Sequence, residues 1–221
     1  LTGPRSEARA RGARNKSALR EYLEAIALAV VLTVAMRGLV VQAFRIPSGS
    51  MQETLLIGDF LFVNKMVYGS EVDIGWADWR LVHFRFPPIR EPGRGDVIVF
   101  RFPEDPSRDF IKRCVATEGQ RVEVRDKVLY VDGQEQVEPY VIHTDPHLLP
   151  RDTSTRDNFG PIVVPKRHLF MMGDNRDNSL DSRFWGPLPE DLVKGKAMIL
   201  YWSWDPERGA PRLYRMFHVV H

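Results

Sequence analysis

Apolar positions follow two regimes along the chain. Residues 25–44, AIALAVVLTVAMRGLVVQAF, are almost unbroken apolar, interrupted only by Arg37 and Gly38. Twenty helical residues span about 30 Å, the thickness of a bilayer's hydrocarbon core. Extended back to residue 21, the run predicts one transmembrane anchor over 21–44, with Arg37 close enough to its far end to snorkel to the interface. A cleaved signal peptide and a buried core helix are the competing readings, because Val41-Gln42-Ala43 has the small residues of a cleavage site. From Arg45 onward helical periodicity nearly disappears. Short β-rich runs bounded by Gly, Pro and Asp take over at Phe60–Val67, Asp96–Phe102, Phe110–Thr117 and Arg121–Val124. Others follow at Val128–Val131, Leu169–Met172 and Ala197–Trp202, and Asp132-Gly133 after KVLYV is a hairpin turn signal.

The pattern predicts a mainly β chain preceded by one N-terminal transmembrane helix. Residues 45–125 and 167–221 are expected to form an antiparallel, barrel-like β domain, with 126–166 inserted as a small β subdomain. Segment 69–95, with Trp76, Trp79, Phe84 and Phe86 among scattered charges, looks less regular. It reads either as a surface loop packed by its aromatics or as an interfacial contact at headgroup depth.

Composition changes this picture in two places. The net charge of +2 over 221 residues hides an asymmetry. Residues 1–20 carry Arg5, Arg9, Arg11, Arg14, Lys16 and Arg20 against Glu7 alone. A basic tail before an anchor places the N-terminus in the cytoplasm and residues 45–221 outside it, and gives no reason to expect a nucleic-acid partner. The single cysteine, Cys114, excludes an internal disulfide and a multi-cysteine zinc site. The six histidines form no HExxH or similar ligand pair, so no metal is expected.

Three polar islands hold candidate chemistry. Directly after the apolar run, Arg45 to Leu55 includes Pro47-Ser48-Gly49-Ser50-Met51. Two hydroxyls two residues apart share a face of an extended chain. One could attack a carbonyl while the other donates to the resulting oxyanion, although taken alone the tetrapeptide is an ordinary turn. No histidine stands in a recognisable motif with these serines. In Asp109-Phe110-Ile111-Lys112-Arg113-Cys114, alternation puts Lys112 as the single charge on a face shared with Phe110, Cys114 and Ala116, while Arg113 points away. Desolvation lowers a lysine pKa toward the range of a general base. Lys65, on another apolar run, is the rival, and a lysine snorkelling off a sheet edge is the bland reading. The third island runs from Gly173 to Pro187, GDNRDNSLDSRFWGP. It fails as a calcium loop, having Ser182 and Leu188 where Gly and Glu are needed, and suits a hydrogen-bonded scaffold.

With PSGSM, DFIKR and GDNRDNSLDSRFWG in this order, the sequence closely resembles bacterial type I signal peptidase, a membrane-bound serine endopeptidase with a Ser–Lys dyad. The resemblance implies that Ser50 is the nucleophile and Lys112 the general base. It implies that Ser48 supports the oxyanion, that Ser179 orients the lysine, and that Asp181 and Arg183 form a supporting salt bridge. Phe44, Ile46, Pro47, Met51, Leu55 and Leu61, with Val99, Phe110 and Ile111, match walls of pockets for small substrate residues at −1 and −3. The implied partners are secretory preproteins and membrane lipid; the implied form is a monomer in the bacterial inner membrane, without cofactor. The family commonly has proline where Glu53 stands. Val41-Gln42-Ala43 would also pass as a site of self-cleavage. A conjugation-pilin type of Ser–Lys peptidase and a non-catalytic, membrane-tethered β binding module are the alternatives.

Overall fold

The computed structural model describes residues 20–29, 33, 41–69, 71–76, 79–85 and 87–221. The chain divides into two units, 1–40 and 41–221. In the first, residues 20–29 and 33 are helical. Among the described residues no helix is long and apolar enough to cross a membrane. The basic tail up to residue 19, and 30–32 and 34–40 of the expected anchor, lie outside the described residues. Its last four residues are a correction: Val41–Arg45 is strand β1, not helix. Phe44 stands opposite Leu61 of the next strand and packs on the core beneath it, so burial at strand period overrides the helical reading of VQAF. The main chain of Val41-Gln42-Ala43 is thereby committed to a ladder.

The second unit is mainly β. After β1 come β2 (Asp59–Asn64), β3 (Glu71–Trp76), β4 (Trp79–Arg85), β5 (Val97–Phe102) and β6 (Asp105–Ala116). Then follow β7 (Arg121–Arg125), β8 (Val128–Val131), β9 (Gln134–Glu135), β10 (Phe159–Val163) and β11 (His168–Met172). Strands β12 (Leu188–Pro189), β13 (Val193–Asp205) and β14 (Ala210–Pro211) complete the order. The main sheet is antiparallel and runs β1-β2-β13-β5-β6-β11-β12, with β14 added on β13. No ladder among the described residues joins β1 to β12, so the expected barrel-like closure is corrected to an open sheet. Bulges in β13 let that one long strand pair β2 along one stretch and β5 along another. Segment 69–95, expected to be irregular, contains the β3–β4 hairpin.

Core packing explains why β5 reads as an unbroken VIVF. Val97 and Val99 enter one cluster with Ile46, Met51, Leu55 and Leu61, while Ile98 and Phe100 enter another with Tyr68, Cys114 and Leu169. A strand buried on both faces needs apolar residues at every position, each contributing about 1.5–3 kcal/mol on full burial. A second sheet, β10-β7-β8-β9, has its own apolar face of Val122, Val124, Leu129 and Val131. This face packs on Val115, Ala116 and Phe170 of the main sheet. Asp132 and Gly133 both take positive φ, 53° and 79°, as a two-residue type I′ hairpin turn demands.

The polar stretch after β9 is held by charge and backbone pairing. Lys127 and the Asp145 N–H both donate to Asp177, at 2.9 and 2.8 Å, and Arg156 bridges Asp145 and Asp157. Ile142 forms a parallel bridge with Asn175. Its N–H donates to the Asp174 carbonyl and its own carbonyl accepts from Arg176 N–H.

Glu53 is exposed at φ 78°, a left-handed conformation that costs an L-residue about 1–2 kcal/mol. Proline, fixed near −65°, cannot occupy it. Glu53→Pro is therefore expected to lower stability by more than about 1 kcal/mol, read from the shift of the urea unfolding midpoint. An unchanged midpoint would show that the turn adopts the proline-compatible form at no cost.

Candidate active site

The chain enters the site through β1, passes Ile46 and Pro47, and tightens into a 3₁₀ turn at Gly49–Met51. Met51 and Leu55 anchor that turn in the core with no exposed surface. The Ser50 carbonyl accepts from Asn175 N–H at 3.1 Å. With its backbone held from both sides, the Ser50 side chain is directed at β6. There Lys112 Nζ and Ser50 Oγ lie 2.7 Å apart.

Both groups are buried, Lys112 to 4% exposure. Lys112 Nζ also donates to the Ile111 carbonyl at 3.0 Å and sits 5.3 Å from the centroid of the Phe110 ring. Burial lowers the Lys112 pKa to about 8 against the opposing pull of Asp181 and Asp174, with Arg183 lowering it further. A large fraction of the amine is thus neutral slightly above neutral pH.

The third island supplies the walls behind the pair. Asp181 is fully buried, caps the short helix Ser182–Trp185, and accepts from Arg183 Nε and Nη2, both at 2.8 Å. Burial favours its neutral form, but the Arg183 guanidinium and the Gly173 N–H more than offset this and hold the carboxyl below its usual range. Arg183 continues to the carbonyls of Arg176 and Arg156, both at 2.6 Å. Ser179 is buried beside this pair, but its hydroxyl makes no hydrogen bond among the described residues. The bond to Lys112 expected of it is not made among the described residues. Ser48 is exposed at the head of the 3₁₀ turn.

Six of the expected wall residues, Phe44, Ile46, Pro47, Val99, Phe110 and Ile111, come together around a hollow of about 30 Å³. Met51, Leu55 and Leu61 stand behind it, fully buried in the same core cluster as Ile46, Val99 and Ile111. Pro47, Phe110 and Ile111 also line a groove of about 510 Å³ that reaches Ser48, Ser50 and Lys112. Asn178 and Leu180 line it as well.

Sequence reasoning gave no role to several residues that the fold brings to the site. Arg113, 1% exposed, makes a bidentate pair with Asp174 at 2.9 and 2.7 Å, and its guanidinium lies 3.8 Å from the centroid of the Tyr140 ring. Thr54 donates to the same carboxylate at 2.6 Å. The signal for Arg113 was its own strand: a charge alternating with apolar residues on the face away from Lys112 requires a buried partner. Buried Arg176 pairs with half-buried Glu138 at 2.7 Å. Gly173 has no room for a side chain: a Cβ there would lie 2.5 Å from the Ser50 carbonyl oxygen and would strike the Ser179 side chain.

A model of the family described as "Signal peptidase, peptidase S26" matches residues 19–202. A signal peptidase I of Pseudomonas aeruginosa is 34% identical, over 92% of this chain and 80% of its own length. One of Aquifex aeolicus is 30% identical, over 84% of this chain and 85% of its own. A crystal structure of a signal peptidase I from Enterococcus faecalis, 30% identical, matches 49% of this chain and 97% of its own, with a TM-score of 0.40. The chain belongs to the signal peptidase family, peptidase S26, and is a serine endopeptidase.

Proposed function

We propose that this enzyme removes signal peptides from secretory preproteins with Ser50 as nucleophile and Lys112 as general base. The observation that carries the reading is the 2.7 Å contact between Lys112 Nζ and Ser50 Oγ inside a buried site. The neutral amine accepts the Ser50 proton as Oγ attacks the carbonyl carbon of the −1 residue. The resulting oxyanion is met by the Ser48 hydroxyl and the Ser50 N–H, each contributing about 2.7–4 kcal/mol in comparable acyl transfers. The Lys112 ammonium then protonates the leaving amine, which departs with the mature chain and leaves an ester on Ser50. Neutral once more, Lys112 takes a proton from water as that water attacks the ester. Collapse of the second oxyanion releases the signal peptide's carboxyl end and returns the proton to Ser50.

Substrate binding follows from a strand edge. The ladder between β6 and β11 extends only from Ala116 to Arg113, so the edge of Phe110–Lys112 on that side remains for an extended peptide. Such a peptide would run between it and Ile46–Ser48, using main-chain hydrogen bonds. Small side chains at −1 and −3 would sit in the groove beside Ser50 and in the hollow of Phe44, Val99 and Ile111. In this reading 126–166 is an insert on the catalytic unit. The chain works as a monomer, anchored by its apolar N-terminal run with the catalytic unit on the extracytoplasmic face of the bacterial inner membrane.

The test is cleavage of a preprotein bearing Ala-x-Ala by the full chain in detergent, with the cut located by mass spectrometry. A cut after the −1 alanine, lost in Ser50→Ala, is expected. A cut elsewhere, or one that survives in Ser50→Ala, would overturn the assignment.

A further inference from the structure

The apolar hollow and the catalytic groove are continuous, sharing Pro47, Asp109, Phe110 and Ile111. Their floor is apolar, but their lip is charged. Arg45 lines the hollow and stands over the Phe60 ring, 5.7 Å from its centroid. Arg108 lines the groove and stands over Phe110 at 5.5 Å. Asp109 lines both, and is the one carboxylate among the lining residues. It is already paired, at 2.7 Å, with Lys194, which reaches it from β13 and lies 6.0 Å from the Phe44 ring.

Two cations, Arg45 and Arg108, therefore flank one carboxylate that Lys194 already neutralises at the entrance. We propose that this lip selects substrates by charge, favouring preproteins with acidic side chains beside the −3 residue and disfavouring basic ones. The proposal rests on the signal-peptide reading above. An extended peptide whose −1 and −3 side chains point into the floor turns −2 and −4 the other way, which leaves them at the level of the charged lip. The apolar floor strengthens the field there relative to open water. Lys194 is the specificity-determining residue, because it cancels Asp109, which would otherwise attract basic side chains to the same place.

The experiment uses the full chain in detergent and three preproteins alike at −1 and −3 (both Ala) that carry Glu, Ala or Lys at both −2 and −4. At about 50 mM salt the Glu preprotein is expected to exceed the Lys preprotein by about threefold to tenfold in kcat/KM, the effect of exposed charges a few ångströms apart. At about 0.5 M salt the ratio should fall toward one. Lys194→Glu should invert the low-salt ratio, and Arg108→Glu should move it in the same direction. A ratio of one at low salt with the Ala preprotein cleaved normally would overturn the proposal alone. So would a ratio indifferent to both salt and Lys194→Glu. Failure to cleave the Ala preprotein at all would instead remove the peptidase reading on which it stands.

Discussion

Lys112→Met is expected to lower kcat/KM on an Ala-x-Ala preprotein by about 10²- to 10⁴-fold, the range for loss of a positioned general base, while making the folded chain more stable at pH 7. Both effects have one cause. The fold buries a lysine whose pKa falls from 10.5 to about 8, with burial as the dominant cause. The unfolded chain binds this proton more tightly than the folded one. At pH 7, below both values, Lys112 is charged in either state, and the folded state bears the full penalty of about 3 kcal/mol. That penalty is relieved as pH rises from about 8 to 10.5, so the wild type should gain stability relative to Lys112→Met through this window, the buried Cys114 thiol titrating alike in both. Activity should rise with pH about a midpoint near 8, where the amine becomes neutral. Urea unfolding of both proteins at pH 7 and 10, beside the pH–rate profile, checks all of this. Equal stabilities at pH 7 would show that Lys112 is not held against its ionisation.

Gly173→Ala is the second large effect, and here the reason is steric. The new methyl group would lie 2.5 Å from the Ser50 carbonyl oxygen and 2.6 Å from Ser179 Cβ, distances that non-bonded atoms do not tolerate. Neither neighbour can yield easily. The Ser50 carbonyl is fixed by Asn175 N–H, and Ser179 is buried beside the Asp181–Arg183 pair. Over-packing of this kind costs about 1–3 kcal/mol. A 1 Å displacement of the Ser50 turn costs about 10²-fold in rate. The variant should remain folded by circular dichroism while kcat falls about 10²-fold and KM changes little. Full activity in Gly173→Ala would mean that the Ser50 turn and the 173–179 loop move freely apart.

The sequence made the reactive side chains legible and left most of their supports obscure, for a physical reason. Taken alone, Ser48 and Ser50 read as an ordinary turn and Lys112 as a lysine at a sheet edge; the order of the three motifs marked them, and the strand spacing expected of the two serines is replaced by a 3₁₀ turn that buries Ser50 and leaves Ser48 exposed. Gly173 carries no side chain to declare anything, and its importance exists only once Ser50 and Ser179 converge on it. Tyr140 and Glu138 lie in a polar stretch whose partners, Arg113 and Arg176, are far away in the chain. The fold shows the same division. Runs such as VIVF were visible as strand because burial on both faces demands an unbroken apolar string. Strand β6 begins at Asp105, five residues before the apolar segment that announces it, since Pro106, Ser107 and Arg108 carry no strand signal. Strand β1 was hidden by its continuity with the apolar run before it. In β3 the alternation of Val72, Ile74 and Trp76 was masked by Glu71, Asp73 and Gly75 between them, and in β4 Arg80, His83 and Arg85 interrupt the apolar residues without a clean period.

The bridge between Ile142 and Asn175 has a consequence for how such a chain can change over time. Asn175 holds the Ser50 carbonyl through its N–H, and Ile142 holds the two residues on either side of Asn175. Residues 138–145 therefore cannot gain or lose length without loosening the nucleophile, whereas the exposed turn at Arg151–Thr153 makes no hydrogen bond, among the described residues, to those that hold the nucleophile. Lineages that lengthen or trim this enzyme should do so at that turn and at the β8–β9 hairpin, keeping the spacing between Glu138 and Asp145 fixed. A library of random insertions across 126–166, selected for secretion, would return survivors at those two places.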